Sequence, residues 1–230
     1  MLKIMGFNKL SLIEYPCGLP SAVIFLGGCN FACPFCHNHS LIQTTLQSAV
    51  SESEILDYLN KRKNMIKAVV FGGGEPSIQI DDLIKFIGQI KQISDFKIKI
   101  DTNGFCPDRL NALIKFGVDY IAMDIKNSLQ KYPLSVGIND FCTEKIEKSV
   151  KLLKQNKVDF EFRTTLVKQF HDILDIKKIG EWVGDVKNFY LQNFADNQGV
   201  LYSGLDPIES ELLSKYLTAL KKYIPNAKLR

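Results

Sequence analysis

Two periods of apolar spacing alternate along this chain. An apolar run at 22–26 (AVIFL) reads as a short buried strand. Ser51 then opens a helix, with Glu54 three residues later in a capping box, and the helix runs on through ILDYLNKRK. KAVVF (67–71) predicts a second strand, and DDLIKFIGQIKQI (81–93) a helix with Leu83, Ile84, Ile87 and Ile90 on one face. FKIKID (96–101) follows as a strand, then a helix begun by Pro107 and stopped near Gly117. YIAMDIK (120–126) is the fourth strand, and the stretch NSLQKYPLSVGINDF after it reads as irregular. Thr143 opens EKIEKSVKLLKQN, VDFEFRTTLV (158–167) is the fifth strand, Asp172 opens ILDIKKIGEWV, and NFYLQNF (188–194) is the sixth. A last amphipathic helix runs through IESELLSKYLTALKKYI.

Strands interleaved with helices imply a parallel sheet. Six such units suit a doubly wound sheet or an incomplete barrel, and the alternation inside the strands separates the two. Phe96, Ile98 and Ile100 alternate with Lys97, Lys99 and Asp101. Ile121, Met123 and Ile125 alternate with Ala122, Asp124 and Lys126, and Phe160, Phe162 and Leu166 with Glu161, Arg163 and Thr165. A parallel sheet buried on both faces should be almost continuously apolar. One polar face instead predicts the lumen of a barrel that takes up a charged ligand. The expected architecture is an α/β partial (β/α)6 barrel, open on one side, formed by residues 1–230 as a single domain.

Composition narrows the class without choosing the chemistry. Apolar residues make up 46% and charged residues 23% of 230, a soluble globular balance. The net charge of +4 is spread out with no basic run, so neither nucleic acid nor a membrane surface is expected as a partner. No apolar stretch is long enough for a membrane span, and the N-terminus lacks the order of a signal peptide. A cytoplasmic location is expected, where thiols stay reduced and clustered cysteines act as metal ligands.

The cysteine cluster is GGCNFACPFCHN, residues 27–38. Cys33 to His37 spells the C-x-x-C-H of covalent haem attachment. Three thiols and a histidine could hold zinc. Cys29, Cys33 and Cys36 could also hold three irons of a [4Fe–4S] cluster and leave the fourth iron open. Cys17, Cys106 and Cys142 stand alone. The other unusual motifs, GGGEP (72–76), DTNG (101–104) and DIK (124–126), end successive strands, where barrel active sites assemble. Zinc explains the cysteines but not these motifs, and covalent haem leaves Cys29 idle.

GGCNFACPFCHN together with GGGEP resembles the radical S-adenosylmethionine (SAM) superfamily, and with DTNGF and MDIK its glycyl-radical-enzyme activase branch. The N-terminal MGFNKLSLIEYP is most similar to activating proteins of anaerobic ribonucleoside-triphosphate reductases. The resemblance implies a [4Fe–4S] cluster on Cys29, Cys33 and Cys36, with SAM chelating the open iron. The cluster and SAM would do the hard chemistry and the protein would position them. Phe35 resembles the aromatic residue beside the adenine, and the backbone at Cys36 and His37 would bond its edge. Gly73 and Gly74 would let the backbone approach the SAM amine, with Glu75 orienting that loop or the amine. Asp101, Thr102 and Asp124 resemble a monovalent-cation site beside the SAM carboxylate; alternatively the two aspartates cap helices or pair with Lys99 and Lys126. Lys126 and Arg163 would hold the carboxylate or ribose, and Asn193 is a further SAM-site candidate. His39 and His171 are expected on the surface or in loops.

With no cysteine between Cys36 and Gly72, a single cluster is expected. The implied partner is a glycyl radical enzyme, reaching the site by the open side, with a flavodoxin- or ferredoxin-type protein as electron donor. Pyruvate formate-lyase is the alternative partner, and a small-molecule enzyme such as a 7-carboxy-7-deazaguanine synthase the alternative function.

Overall fold

The computed structural model describes residues 1–43, 47–155, 157–195 and 200–230. One sheet contains β1 (Ile4–Ser11), β2 (Ser21–Leu26), β3 (Ala68–Gly73), β4 (Lys97–Thr102), β5 (Tyr120–Asp124), β6 (Asp159–Leu166), β7 (Phe189–Asn193) and β8 (Lys228–Leu229), in that spatial order. β2 to β7 are parallel and are the six expected strands. β1 and β8 each have one neighbour, so the sheet is not closed into a barrel.

The two edge strands are additions to the expected six. β1 carries Gly6 and Asn8 and no clean alternation; it is held by antiparallel pairing to β2, with register shifts on both sides of the Gly6–Asn8 segment. β8 is a two-residue parallel ladder on β7, too short for any periodicity to mark.

The helices are α1 (Glu52–Arg62), α2 (Ile80–Ile93), α3 (Pro107–Phe116), α4 (Tyr132–Val136), α5 (Thr143–Leu153), α6 (Ile173–Val183) and α7 (Ser210–Lys221). Their ends follow local chemistry. Ser51 and Glu54 close a capping box at α1, and Asp172 and Asp175 a second at α6. Gly117 takes the left-handed conformation that stops α3. Ile98, Ile100, Ile121, Met123 and Phe162 share one buried apolar cluster with Leu59, Phe86, Ile90, Leu113 and Ile146 of the helices, while Asp101, Asp124, Arg163 and Thr165 line a cavity on the inner face.

The stretch after β5 is ordered, contrary to the irregular segment expected there. Leu129–Lys131 forms a 3-10 turn leading into α4, with Pro133 at its first turn. Tyr132 is fully buried and stacks on Phe141, while Ser128 and Lys131 bond Asp175. One short helical turn is below the length that apolar spacing can reveal. No helix among the described residues is long and apolar enough to cross a membrane.

Candidate active site

Three loops meet at the carboxyl ends of β2, β3 and β4. The GGGEP turn folds back on the cysteine loop: Gly74 N–H donates to the Leu26 carbonyl (2.8 Å) and Glu75 N–H to the Gly28 carbonyl (2.8 Å). Gly73 has φ +99°, and a Cβ there would stand 2.7 Å from the Leu26 nitrogen; one on Gly74 would collide with the Gly28 carbonyl. These glycines are therefore required by the packing of protein on protein. The sequence had attributed them to a ligand's approach, although both also line the cavity described below.

Glu75 is fully buried behind that cavity and does not line it. Its carboxylate accepts Ser77 N–H (3.0 Å), the Thr102 hydroxyl (2.8 Å) and Asn103 N–H (2.7 Å). Burial pushes its pKa up, and the hydrogen bonds offset part of that rise. Glu75 thus clamps the β3 loop to the β4 loop, leaving no free oxygen directed at a ligand amine.

A cavity of about 220 Å³ lies where these loops meet. Cys29, Cys33, Phe35, Cys36, His37, Gly73, Gly74, Asp101, Thr102, Asp124, Lys126 and Arg163 all line it, as do Phe31, Asn38, Ile42, Asn103 and Thr165. Of the expected site residues only Glu75 and Asn193 stand outside. Asn193 exchanges two hydrogen bonds with the Ile208 backbone (both 2.9 Å), so its amide is committed to holding the chain after β7.

Across the ladder Asp124 opposes Arg163, whose Nε donates to Asp124 Oδ1 (2.9 Å) while a terminal nitrogen reaches Asp101 Oδ2 (3.3 Å). Lys126 bonds Asp124 Oδ2 (2.9 Å). Lys99 Nζ lies 2.8 Å from Asp101 Oδ1 as an ion pair, without hydrogen-bond geometry at that oxygen. Burial disfavours the Asp124 charge, but Arg163 and Lys126 outweigh it and hold its pKa at about 2. Three cations against two carboxylates leave one positive charge over. The aspartates are thus paired with Lys99, Lys126 and Arg163, and the Thr102 hydroxyl is turned to Glu75, where a monovalent cation had been expected. Lower in the lumen, buried Glu161 takes both terminal nitrogens of Arg230 (2.8 and 3.0 Å) and the Tyr120 hydroxyl (3.1 Å).

The thiols are largely sheltered. Burial raises the Cys29 pKa to about 11 and that of Cys33 to about 12, with Lys126 pulling the other way, and it raises Cys36 too. Thiolates here need bound metal to offset desolvation. His37 Nε2 donates to the Ala195 carbonyl (2.6 Å) and its ring stacks on Phe194, which fixes the ring beside the chain after β7. Three thiols fit a [4Fe–4S] cluster with one open iron. Among the described residues no three His, Cys, Asp or Glu side chains converge as around one ion, a closeness that ligands to three separate irons do not need.

Phe35 packs edge-on to Phe170 (5.4 Å) and His171 (6.4 Å). His171 lies in the loop between β6 and α6, as expected, but is buried there and not on the surface. Its Nδ1 accepts Val167 N–H (3.1 Å), so Nε2 carries the proton donated to the Lys126 carbonyl (2.9 Å). Nothing in KQFHD marked that burial, which depends on residues 45 positions away. On the other side, Phe31, which lines the cavity with the cysteines, begins a chain of packed rings with Phe105, Phe141 and Tyr132. Asn103, the third residue of DTNG, also lines the cavity, and its sequence position alone does not mark it as a site residue.

The Radical SAM superfamily profile matches residues 23–178. A Methanocaldococcus jannaschii protein, provisionally named a glycyl-radical enzyme activating enzyme, is 36% identical over 99% of this chain and 95% of its own length. A 7-carboxy-7-deazaguanine synthase of Rickettsia prowazekii is 38% identical over 38% of this chain and 37% of its own. The solved structure of TYW1 with a lysine-pyruvate adduct bound has a TM-score of 0.65 at 16% identity, covering 92% of this chain and 79% of that one, which shows a shared fold.

Proposed function

Because the chain belongs to the radical SAM superfamily and holds a [4Fe–4S] cluster and SAM in that capacity, we propose that it activates a glycyl radical enzyme, the anaerobic ribonucleoside-triphosphate reductase. The end-to-end similarity to a glycyl-radical enzyme activating enzyme supports the activase class; the choice of the reductase rests on the resemblance of the N-terminal MGFNKLSLIEYP. The partial match to a deazaguanine synthase covers a much smaller part of the chain, and it supports the second reading, a small-molecule substrate.

When bound, the cluster and SAM supply one-electron cleavage of a carbon–sulfur bond and then removal of a hydrogen atom. This chain's residues do the rest. Cys29, Cys33 and Cys36 would hold the cluster and leave one iron open to SAM. Lys126 and Arg163 offer the surplus positive charge to that carboxylate, with Asp101 and Asp124 keeping both cations in position. A monovalent cation would enter this network only by displacing Arg163 from between the two aspartates. The Phe35 ring, fixed by Phe170 and His171, offers a flat face to the purine, and the Cys36 and His37 backbone would meet its edge. The unclosed side of the sheet admits a peptide loop from the partner, and a flavodoxin- or ferredoxin-type protein delivers the electron. The chain acts as a single domain.

The test supplies anaerobically reconstituted protein with SAM, reductant and either the reductase large subunit or pyruvate formate-lyase. A carbon-centred EPR doublet on the reductase, losing its main coupling when the glycine α-hydrogen is deuterated, is the expected result. A radical on the formate-lyase alone would reassign the partner. Cleavage of SAM in step with a purine precursor, with no radical on either protein, would replace the activase reading with the small-molecule one.

A further inference from the structure

We infer that the side-chain amide of Asn103 sets the reduction potential of the cluster through Cys29. Asn103 follows β4 in DTNG and is buried, with 7% of its surface exposed. Its Oδ1 accepts Phe105 N–H (3.0 Å), and since a backbone N–H can only meet an acceptor, this identifies the oxygen and turns Nδ2 the other way. Nδ2 then points at Asn30 Oδ1 (2.9 Å) and Cys29 Sγ (4.0 Å). Its backbone N–H is fixed by Glu75 at 2.7 Å. Both ends of the side-chain amide and the backbone N–H are thereby committed, and one N–H lies against a cluster ligand.

At 4.0 Å the contact stands at the outer limit for a hydrogen bond to sulfur. Metal loading strengthens it, because a thiolate attracts a donor more than a thiol does. Reduction adds negative charge to the cluster and its sulfurs. A donor held at Cys29 favours the reduced form and raises the potential, as hydrogen bonds to cluster sulfurs do in general. Phe31 N–H, 3.4 Å from the same sulfur, acts in the same direction, but no side-chain substitution removes it. Asn103 is a positioning residue that acts through Cys29. The clamp at Glu75 gains a second consequence, since it holds the backbone from which this amide projects.

The inference rests on the cluster at Cys29, Cys33 and Cys36, not on the partner, so iron and sulfide content separates its failure from that of the activase reading. The experiment is an EPR-monitored redox titration of reconstituted Asn103→Asp and Asn103→Ala. Asn103→Asp keeps an oxygen for Phe105 N–H but puts a negative charge where the donor was. Its reduced fraction at a fixed poise should fall about tenfold, a shift of roughly 59 mV to more negative potential for one electron. Asn103→Ala also loses the turn to Phe105, so it should be the less ordered variant yet shift the potential less. A wild-type potential in either loaded variant, or a larger shift in Asn103→Ala, would overturn the inference. Should neither variant load, pulsed EPR on protein with side-chain 15N-labelled asparagine replaces the titration, with Asn30→Asp and Asn38→Asp in place so that Asn103 carries the labelled amide nearest the cysteines. Coupling between that nitrogen and the reduced cluster supports the assignment, and its absence refutes it.

Discussion

Replacing Glu75 by alanine should destabilise the fold through the top of the sheet and not through loss of a ligand contact. The substitution leaves the Ser77 and Asn103 N–H groups and the Thr102 hydroxyl without their acceptor in a fully buried place. An orphaned buried donor costs about 1–3 kcal/mol. The hydroxyl can rotate, so the two N–H groups set the scale, at about 2–6 kcal/mol. Part of that returns because a buried carboxylate no longer has to be kept from water, the effect that pushes its pKa up. A net loss of about 3 kcal/mol lowers Tm by roughly 6–12 °C in a domain of this size. Glu75→Gln keeps one oxygen but turns an amide toward one of the three donors, and should lose about half as much. The assay is calorimetry of cluster-free protein under anaerobic conditions, because bound cofactor would add its own stabilisation. A Tm for Glu75→Ala within 2 °C of wild type (roughly the lower bound for 1 kcal/mol), with SAM binding lost in the loaded protein, would refute the clamp and put the carboxylate back at the ligand amine.

Three further outcomes are expected. Alanine at Cys29, Cys33 or Cys36 should abolish iron and sulfide binding, while alanine at the exposed Cys17 and Cys142 and at Cys106 leaves both intact; zinc without sulfide in anaerobically purified protein would contradict this. Arg163→Gln removes the positive charge left over in the lumen and should weaken SAM binding about ten- to a hundredfold with iron content unchanged; equal affinity in isothermal titration would exclude it from the site. Burial lowers the His171 pKa below its unfolded value near 6.5, so the neutral ring is the stabilising form. Stability should therefore decline as pH falls from about 6.5 toward the folded pKa. Urea melts of His171→Gln should show a shallower acid-side slope, and an unchanged slope would remove His171 from the cause.

The six parallel strands could be read from the chain because each was either a short apolar run or a clean alternation, and helix boundaries because Ser51, Asp172, Pro107 and Gly117 act within a few residues of themselves. Cys142, not Thr143, caps α5, a shift of one residue without consequence for packing. β1 could not be read this way: Gly6 and Asn8 are strand residues only because β2 is alongside. At the site, residue type and spacing were enough to collect ten of the expected side chains and two glycines around one cavity. What they could not convey was how polar groups divide their hydrogen bonds. Glu75, Thr102, Asn193 and His171 each have a partner distant in sequence, and only the fold decides whether such a group faces a ligand or the protein. The aspartates illustrate the same limit, since a cation site was the expectation drawn for them and pairing with Lys99 or Lys126 the alternative, and sequence positions do not decide between the two.

The spatial order of the strands is also their order of synthesis, which bears on how the protein is made. Each strand from β2 onward pairs with the one completed before it, so no segment leaving the ribosome waits for a distant partner to supply its ladder. Once β4 and its DTNG loop have emerged, the cysteine loop, the glycine turn and the Glu75 clamp are all available to one another. Arg163 follows about 60 residues later. A nascent chain can thus gather its three thiols while Lys99 and Asp101 are the only lumen charges yet made, and the metal-binding loop matures before Asp124, Lys126 and Arg163 complete the pocket.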